Sequence, residues 1–286
     1  MSFYNNLSGE KNMDRTTLIS YAYMFDGEYN KILDAIQKQI KPTESALKQA
    51  VVTPDKAAIT IFDETYPKKL FELKNPPFVL FCKGDISLLN KGKINAVVGA
   101  RQPSDYASNA TKDLCNKLNS DGVTVVSGLA KGIDAVAHAY AQQNIAVLGC
   151  GINYVYPIAN KQLFQKIENS GLIISEYPGL TKPLAYHFPF RNRIVAGLSD
   201  RVYAMECQQK SGTLITINNA LELGKEIKVL PFDVYSTNYN NELIAEGAGV
   251  IGHKDMFEFG NNENHQQAQS LKFDSEEYST DNTPEL

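Results

Sequence analysis

Short apolar runs recur at regular intervals from residue 93 onward, and helix-like segments separate most of them. The runs are nearly continuous, which is typical of strands buried on both faces of a sheet. They lie at Ile94–Val98, Val123–Val126, Ile145–Leu148, Leu172–Ile174, Val202–Met205 and Ile227–Leu230. The clearest amphipathic helical stretches are Tyr106–Leu118, Lys161–Glu168 and Leu214–Leu223. This alternation predicts an α/β fold with a doubly wound, mainly parallel sheet.

The pattern before residue 56 is different. Apolar residues there follow helical spacing, most clearly at Ile32, Leu33, Ile36 and Ile40. Residues 14–50 therefore predict two or three helices, with a break at Pro42-Thr43. Ala57–Phe62 then predicts a strand, and Asn75–Phe81 a loop that leads into another. We expect a small helical module in residues 1–55, an α/β domain in residues 56–259 and a tail in residues 260–286.

Charge is distributed unevenly along the 286 residues. The segment 260–286 contains six acidic side chains and one lysine, so its net charge is −5. Since the whole chain has a net charge of −4, residues 1–259 have a net charge of +1. Its polar, acidic composition predicts a disordered tail. A body so close to neutral does not predict a long basic groove. Any nucleic acid would have to be held by a few focused contacts.

Several classes of protein are disfavoured by the sequence. No apolar run reaches the ~18 residues of a membrane-spanning helix, and residues 1–6 lack the pattern of a signal peptide. The cysteines are widely separated and show no metal-ligand spacing. They are Cys82, Cys115, Cys150 and Cys207. We expect buried free thiols in a cytoplasmic protein that has no metal site and no membrane insertion.

The segment Ser127–Asp134 follows one predicted strand and opens a predicted helix. Its small residues, Gly128 and Gly132 among them, let a phosphate approach the backbone, and free N–H groups of a first helical turn point at such a ligand. Lys131 adds a positive charge within the turn. The pattern predicts a phosphate site, and it leaves open whether the phosphate belongs to a nucleotide or to a nucleic-acid backbone.

Three other segments combine small residues with cations. Gly99-Ala100-Arg101 follows the first predicted parallel strand, and Lys210-Ser211-Gly212 follows the fifth. Arg191-Asn192-Arg193 lies in a segment that predicts the start of a helix. Each segment alone is common, and two isolated arginines are more often surface charges or salt-bridge partners. Because the carboxyl ends of parallel strands meet at one edge of a sheet, we expect these cations to converge on one anion site.

Standard nucleotide and catalytic motifs are missing. There is no G-x-x-x-x-G-K-[ST] sequence, and Tyr154 replaces the last glycine of a dinucleotide fingerprint that begins at Gly149. His138 lies one turn into a predicted helix, where we expect a structural role. We therefore assign no catalytic residue, no cofactor and no metal. Among several aromatic residues near the predicted site, Tyr156 and Phe188 are candidates for stacking on unpaired bases.

Six strings, in this order, resemble the DNA-processing protein A family. They are "VVGARQPSDYA", "VVSGLAKGIDAVAH", "AVLGCGINYVYP", "SEYP", "HFPFRNRIVAGLS" and "KSGTLIT". The resemblance covers roughly residues 58–252. It implies an extended Rossmann-like domain that binds single-stranded DNA without hydrolysing nucleotides. It also implies a homodimer that protects incoming single strands during natural transformation and helps to load the RecA recombinase.

The resemblance also implies which residues contact DNA. Arg101 matches the family's G-[SA]-R turn, the segment 127–134 matches its S-G-x-A-x-G-I-D turn, and Arg191 and Arg193 match its F-P-x-R-N-R segment. We expect phosphate contacts from the following residues: Gly99, Arg101, Ser127, Gly128, Lys131, Gly132, Arg191, Asn192, Arg193, Lys210, Ser211 and Gly212.

The sequence departs from the family in two regions. Pro231-Phe232 stands where the family has Pro-Gly, and Tyr239 occupies the position expected for a glycine. The loop after the last predicted strand is therefore expected to be reshaped. The helical module is short for the family's sterile-alpha-motif-like domain, and we expect no C-terminal winged helix.

Two alternatives remain open. The segment 210–216 resembles the P-G-G-x-G-T-x-x-E turn of nucleotide phosphoribohydrolases, the lysine-decarboxylase-like enzymes. Thr216 stands where those enzymes have their catalytic glutamate, which argues against cleavage of an N-glycosidic bond. The other alternative is a nucleotide-sensing or scaffold protein whose pocket holds a free mononucleotide.

Deleting residues 260–286 is expected to leave folding intact and to leave DNA binding equal or tighter, because the segment carries −5 and repels a polyanion. Thermal unfolding and a binding titration at low salt, on the full and the shortened chains, measure the two effects. A clear loss of DNA affinity on deletion would contradict the electrostatic assignment.

Overall fold

The computed structural model describes residues 13–54 and 57–257, and these build helices around a nine-stranded sheet. The strands are β1 Ala58–Thr60, β2 Val79–Gly84, β3 Ile94–Val98, β4 Thr124–Ser127, β5 Asn144–Leu148, β6 Leu172–Ser175, β7 Arg201–Ala204, β8 Glu226–Val229 and β9 Gly249–Val250. Their order is β1-β2-β6-β5-β4-β3-β7-β8-β9. The pairs from β6 to β9 are parallel, whereas β2 pairs antiparallel with both β1 and β6.

Ten α-helices accompany the sheet within the described ranges. They are α1 Arg15–Met24, α2 Tyr29–Gln37, α3 Glu44–Val52, α4 Asp105–Ser120, α5 Ile133–Tyr140, α6 Lys161–Ser170, α7 His187–Leu198, α8 Gly212–Glu222, α9 Asn240–Ala245 and α10 His253–Met256. The predicted α/β fold with a doubly wound, mainly parallel sheet is confirmed.

Successive side chains of the central strands lie alternately in two apolar layers, one on each face of the sheet. Val97 of β3 and Tyr203 of β7 pack with α4 and α5. Their neighbours Ala96 and Val202 pack in the larger cluster that contains the buried residues of α7 and α8. Because side chains alternate along a strand, a strand with both faces covered is apolar at most of its positions.

The helical module, α1 to α3, shares the larger apolar cluster with the sheet. Asp14 caps α1 by accepting a hydrogen bond from the N–H of Thr17, and Thr43 caps α3 in the same way through Ala46. Tyr29 of α2 stacks on Phe78, with ring centroids 4.8 Å apart and planes 13° apart. The helix α1 packs against β1 and β2, and α3 packs on α1, so the module is joined to the strands that lead into the parallel sheet.

The strand order reverses at the centre of the sheet. From β3 the chain moves outward through β4 and β5 to β6, and α7 then returns it to β7 on the other side of β3. Such a reversal opens a crevice at the carboxyl ends of the two central strands, where ligands bind in open α/β sheets. The turns after β3, β4, β5, β7 and β8 therefore lie along one edge, which we call the carboxyl edge.

The four cysteines are buried and unpaired, which confirms the expectation of free thiols. Burial raises the pKa of Cys82 and of Cys115 to about 12 and that of Cys150 to about 11, so these groups stay protonated at neutral pH. Among the described helices, none combines the length and apolar character needed to cross a bilayer. The predicted acidic tail, residues 260–286, lies outside the described residues.

Candidate nucleic-acid interface

The turns after β3 and β4 are packed against each other at the carboxyl edge. Gly132 has a φ of 77°, and a Cβ at this position would lie 2.2 Å from the carbonyl oxygen of Ala100. The N–H of Ile133 donates to that same oxygen at 3.1 Å, and the Ile133 side chain packs on Gly99. Glycine is required where two backbones approach so closely. Their contact sets the exposed side chains of Arg101 and Lys131 on neighbouring turns.

Asp134 organises the β4 turn from inside. Its buried carboxylate accepts hydrogen bonds from the N–H groups of Gly128 at 3.0 Å and Ala130 at 3.3 Å. Two of the backbone amides that were expected to bind a phosphate are therefore already hydrogen bonded within the protein. The amides of Lys131 and Gly132 donate to no atom of residues 13–54 and 57–257, so they are free to face an anion.

Arg191 is buried beneath the β4 turn. Its Nη1 donates to the carbonyl oxygens of Gly128, at 2.6 Å, and of Val147 at the end of β5. A Cβ on Gly128 would lie 2.4 Å from Nη2 of Arg191, so only glycine leaves room for the guanidinium. The pKa of Arg191 is below its usual value because burial disfavours the charge, and the nearby charge of Arg101 lowers it further, while Asp134 opposes both.

Asn192 connects this arginine to the turn after β7. Its Oδ1 accepts from Nε of Arg191 at 3.1 Å, and its Nδ2 donates to the carbonyl oxygen of Gly212 at 3.1 Å. Gly212 is the first residue of α8, and Ser211 precedes it with its hydroxyl 3.4 Å from the sulfur of Cys207. Lys210 is exposed on this turn and has a φ of 61°.

Glu206 ties the β7 turn to the β3 turn. Its Oε2 accepts from both the N–H and the hydroxyl of Ser104 at 2.8 Å, and the glutamate is buried. Ser104 also caps α4 by accepting from the N–H of Ala107, as its position before the helix predicts. The sequence alone does not single out Glu206, because a lone glutamate after an apolar run has no distinguishing pattern.

Arg193 lies deeper than Arg191. It forms a bidentate ion pair with Glu176, in which Nη1 and Nη2 each donate to one carboxylate oxygen at 2.6 Å. Both side chains are buried. The guanidinium also lies 3.8 Å from the ring centroid of Phe190, and its Nε donates to the carbonyl oxygen of Asn75. This pair joins α7, the end of β6 and the segment that precedes β2.

An aromatic pair flanks the β4 turn on the side of β5. Tyr156 is 43% exposed, and its ring centroid lies 5.4 Å from that of Phe188. Phe188 packs on Gly149, the first residue after β5. Asn160 links the same loop to the β4 turn by donating to the carbonyl oxygens of Leu129 at 3.0 Å and Ala130 at 3.1 Å. An exposed ring thus stands beside the turn that carries Lys131.

The predicted site residues divide into two groups. Arg101, Lys131 and Lys210 are exposed, each on a different turn of the carboxyl edge. By contrast Ser127, Arg191 and Arg193 are buried and hydrogen bonded to the protein; the hydroxyl of Ser127 donates to the carbonyl oxygen of Val97 at 2.7 Å. The three turns that carry the exposed cations therefore lie on the same edge of the sheet. Convergence on one anion site and phosphate contact by any of these residues stay predictions.

Comparison with known proteins places this edge in context. A family model described as DNA recombination-mediator protein A matches residues 57–260. The DNA processing protein DprA of Bacillus subtilis is 39% identical over 208 residues, which are 70% of each chain. Protein Smf of Synechocystis sp. is 43% identical over 209 residues, which are 70% of this chain and 51% of that protein.

Two solved structures share the fold. DNA processing protein A from Streptococcus pneumoniae aligns with a TM-score of 0.69 and 32% identity, covering 91% of this chain and 99% of that one. DNA processing protein A from Helicobacter pylori, whose structure concerns its single-stranded DNA binding mode, aligns with a TM-score of 0.65 and 34% identity. That alignment covers 68% of this chain and 90% of the other.

Gly128→Ala is expected to destabilise the protein by about 1–3 kcal/mol, because the added Cβ overlaps the buried guanidinium of Arg191. Gly212→Ala is the matched control, since a Cβ there meets nothing nearer than 3.9 Å. Urea unfolding of the two variants measures the difference. Equal unfolding midpoints would show that the contact between Gly128 and Arg191 does not constrain the turn.

Proposed function

The chain belongs to the DNA recombination-mediator protein A family, and we propose that it binds single-stranded DNA along the carboxyl edge of its sheet. One observation carries the proposal. Three turns, each with one exposed cation, are joined to one another by hydrogen bonds, and this supports a preorganised cationic site formed by Arg101, Lys131 and Lys210. Phosphates of a nucleic-acid backbone are the ligands that such spaced cations fit.

Unpaired strands fit this edge better than a duplex. The cations are few and lie within a body of nearly neutral charge, whereas duplex binding relies on many phosphate contacts. Tyr156 presents an exposed ring beside the cations, and an aromatic face stacks only on a base that is not already stacked on both sides. The Helicobacter pylori protein, which shares the fold, supports the same ligand class.

Within the site, we assign different roles to the exposed and the buried residues. Arg101, Lys131 and Lys210 contact phosphates directly, together with the amides of Lys131, Gly132 and Gly99. The buried Arg191 and Arg193 and the half-buried Asn192 hold the turns in position, and the charge of Arg191 adds to the positive potential beneath the β4 turn. Ser127, Gly128, Gly132, Ser211 and Gly212 shape the backbone that a phosphate meets.

We propose that the site binds DNA without catalysis or a cofactor. Thr216 of α8 stands at the position of the catalytic glutamate in the phosphoribohydrolase-like motif, and its hydroxyl is 3.4 Å from the carbonyl oxygen of Gly212. The neutral hydroxyl of a buried threonine carries no negative charge and does not accept a proton as a carboxylate general base does. Efficient release of the base from AMP would contradict this assignment and favour the enzyme.

Family membership supports a proposal for the wider role of the protein. We propose that the protein works in the cytoplasm as a homodimer that protects incoming single strands during natural transformation and helps to load RecA recombinase on them. Assembly of the recombinase on strands coated with a single-stranded DNA-binding protein, with and without this chain, tests that role separately from DNA binding.

Replacing Arg101 or Lys131 with Ala is expected to weaken binding to single strands of different sequence to a similar extent. Each variant should also reduce the slope of log K against log salt concentration by about 0.7 for each phosphate that its side chain no longer binds. Lys91→Ala is the control, because Lys91 is exposed just before β3, at the opposite edge of the sheet. Unchanged affinity and slope in both site variants would refute the assignment.

A further inference from the structure

We propose that the loop after β8 forms a second base-stacking platform, built from Tyr235, Tyr106 and Phe232. The proposal rests on the proposed function, because it extends the same single-stranded DNA site to the far side of its cations. Its ligand is an unpaired nucleobase, and its position is the end of β8, whereas Tyr156 and Phe188 lie at the end of β5.

The loop is held firmly although its side chains are exposed. Asn241 accepts from the N–H of Phe232 at 3.1 Å and donates to the carbonyl oxygen of Phe232 at 3.0 Å. The carboxylate of Asp233 accepts from the N–H of Tyr235 at 2.9 Å. Yet the side chain of Tyr235 is 91% exposed, and that of Val234 is 86% exposed. A fixed backbone that presents a bare aromatic ring binds at little entropic cost.

Tyr106 extends this aromatic surface toward the β3 turn. It lies in the first turn of α4, and its hydroxyl donates to the carbonyl oxygen of Pro231 at 3.0 Å. Its ring meets that of Phe232 edge to face, with centroids 5.1 Å apart and planes 86° apart. Tyr106 is still 51% exposed. Tyr106 and Phe232 are therefore in contact at the carboxyl edge, and Tyr235 lies three residues beyond Phe232 in the same loop. Tyr106 is five residues along the chain from Arg101.

The order of strands places aromatic groups on both sides of the cations. Along the carboxyl edge, Tyr156 and Phe188 lie by β5, Lys131 follows β4, Arg101 follows β3, Lys210 follows β7 and Tyr235 follows β8. Four strand spacings of about 4.8 Å separate β5 from β8, a distance of about 19 Å. A single strand that crosses this edge would set its phosphates on the central cations and its bases on the flanking rings.

The chemistry of the loop favours a base over a phosphate. Residues 229–241 contain no lysine or arginine, and Asp233 is their one charged residue. This carboxylate repels phosphates, whereas an aromatic face attracts any base through stacking and is indifferent to sequence. Because the loop lies on the same edge of the sheet as the cationic turns, DNA is favoured over a protein as the ligand of the exposed Tyr235 ring.

The test compares two ligands that differ only in their bases. Binding by the full chain is measured by fluorescence anisotropy with an oligothymidylate and with an abasic strand that has the same number of phosphates. Tyr235→Ala is expected to weaken binding of the oligothymidylate about 5-fold or more, which corresponds to the smallest contribution of one stacked base. The same variant should bind the abasic strand as tightly as the unsubstituted chain does. Tyr235→Phe should bind both strands with unchanged affinity. Tyr140→Ala, at an exposed tyrosine that ends α5, is the matched control.

Three results would overturn the proposal. The first is that Tyr235→Ala binds oligothymidylate as tightly as the unsubstituted chain does. The second is that Tyr235→Ala loses as much affinity for the abasic strand as for oligothymidylate. The third is a change in self-association by sedimentation without a change in DNA affinity, which would make the loop a protein contact. Failure of the unsubstituted chain to bind oligothymidylate would instead refute the proposed function, so the two failures are distinguishable.

Discussion

The candidate site depends on the hydrogen bonds of the Arg191 guanidinium. It is buried against Gly128 and donates to backbone carbonyls at the ends of two strands, β4 and β5. Its Nε then reaches Asn192, which fixes the start of α8. A buried charge is costly unless it is hydrogen bonded, and here the partners are the carbonyl oxygens of Gly128 and Val147 and the side chain of Asn192. The arrangement of those turns is therefore coupled to one side chain.

Buried and exposed charges have separate roles in this protein. The pair of Arg193 and Glu176 is nearly inaccessible and joins α7 to β6 and to the segment before β2, while Glu206 and Asp134 each accept two hydrogen bonds from neighbouring turns. These groups determine shape. The exposed cations are few, and their effect depends on being held close together. The proposed site would thereby be focused enough for a polyanion on a chain with a net charge of −4.

The fold and the edge that carries the site could be predicted from the sequence, because buried parallel strands such as Ile94–Val98 leave nearly continuous apolar runs. The two-residue strand β9 and the short helix α9 are too brief to show periodicity. Side-chain direction could not be predicted. Arg191 and Lys131 are both cations beside glycine turns, yet one is buried and the other exposed, and only the packing of α7 under the sheet distinguishes them. The side chain of Asp134 likewise points inward and accepts hydrogen bonds from backbone amides that the sequence analysis predicts to bind a phosphate.

The proposed preference for unpaired strands is the property that most sharply separates the proposed site from a nucleotide pocket or a duplex-binding surface. Fluorescence anisotropy can compare single-stranded and double-stranded DNA of the same length and sequence at equal salt, with and without added nucleotides. Tighter binding of the single strand and no effect of mononucleotides are expected, because the edge combines spaced cations with exposed rings. Equal or tighter binding of the duplex, or displacement of DNA by a mononucleotide, would contradict the proposed site.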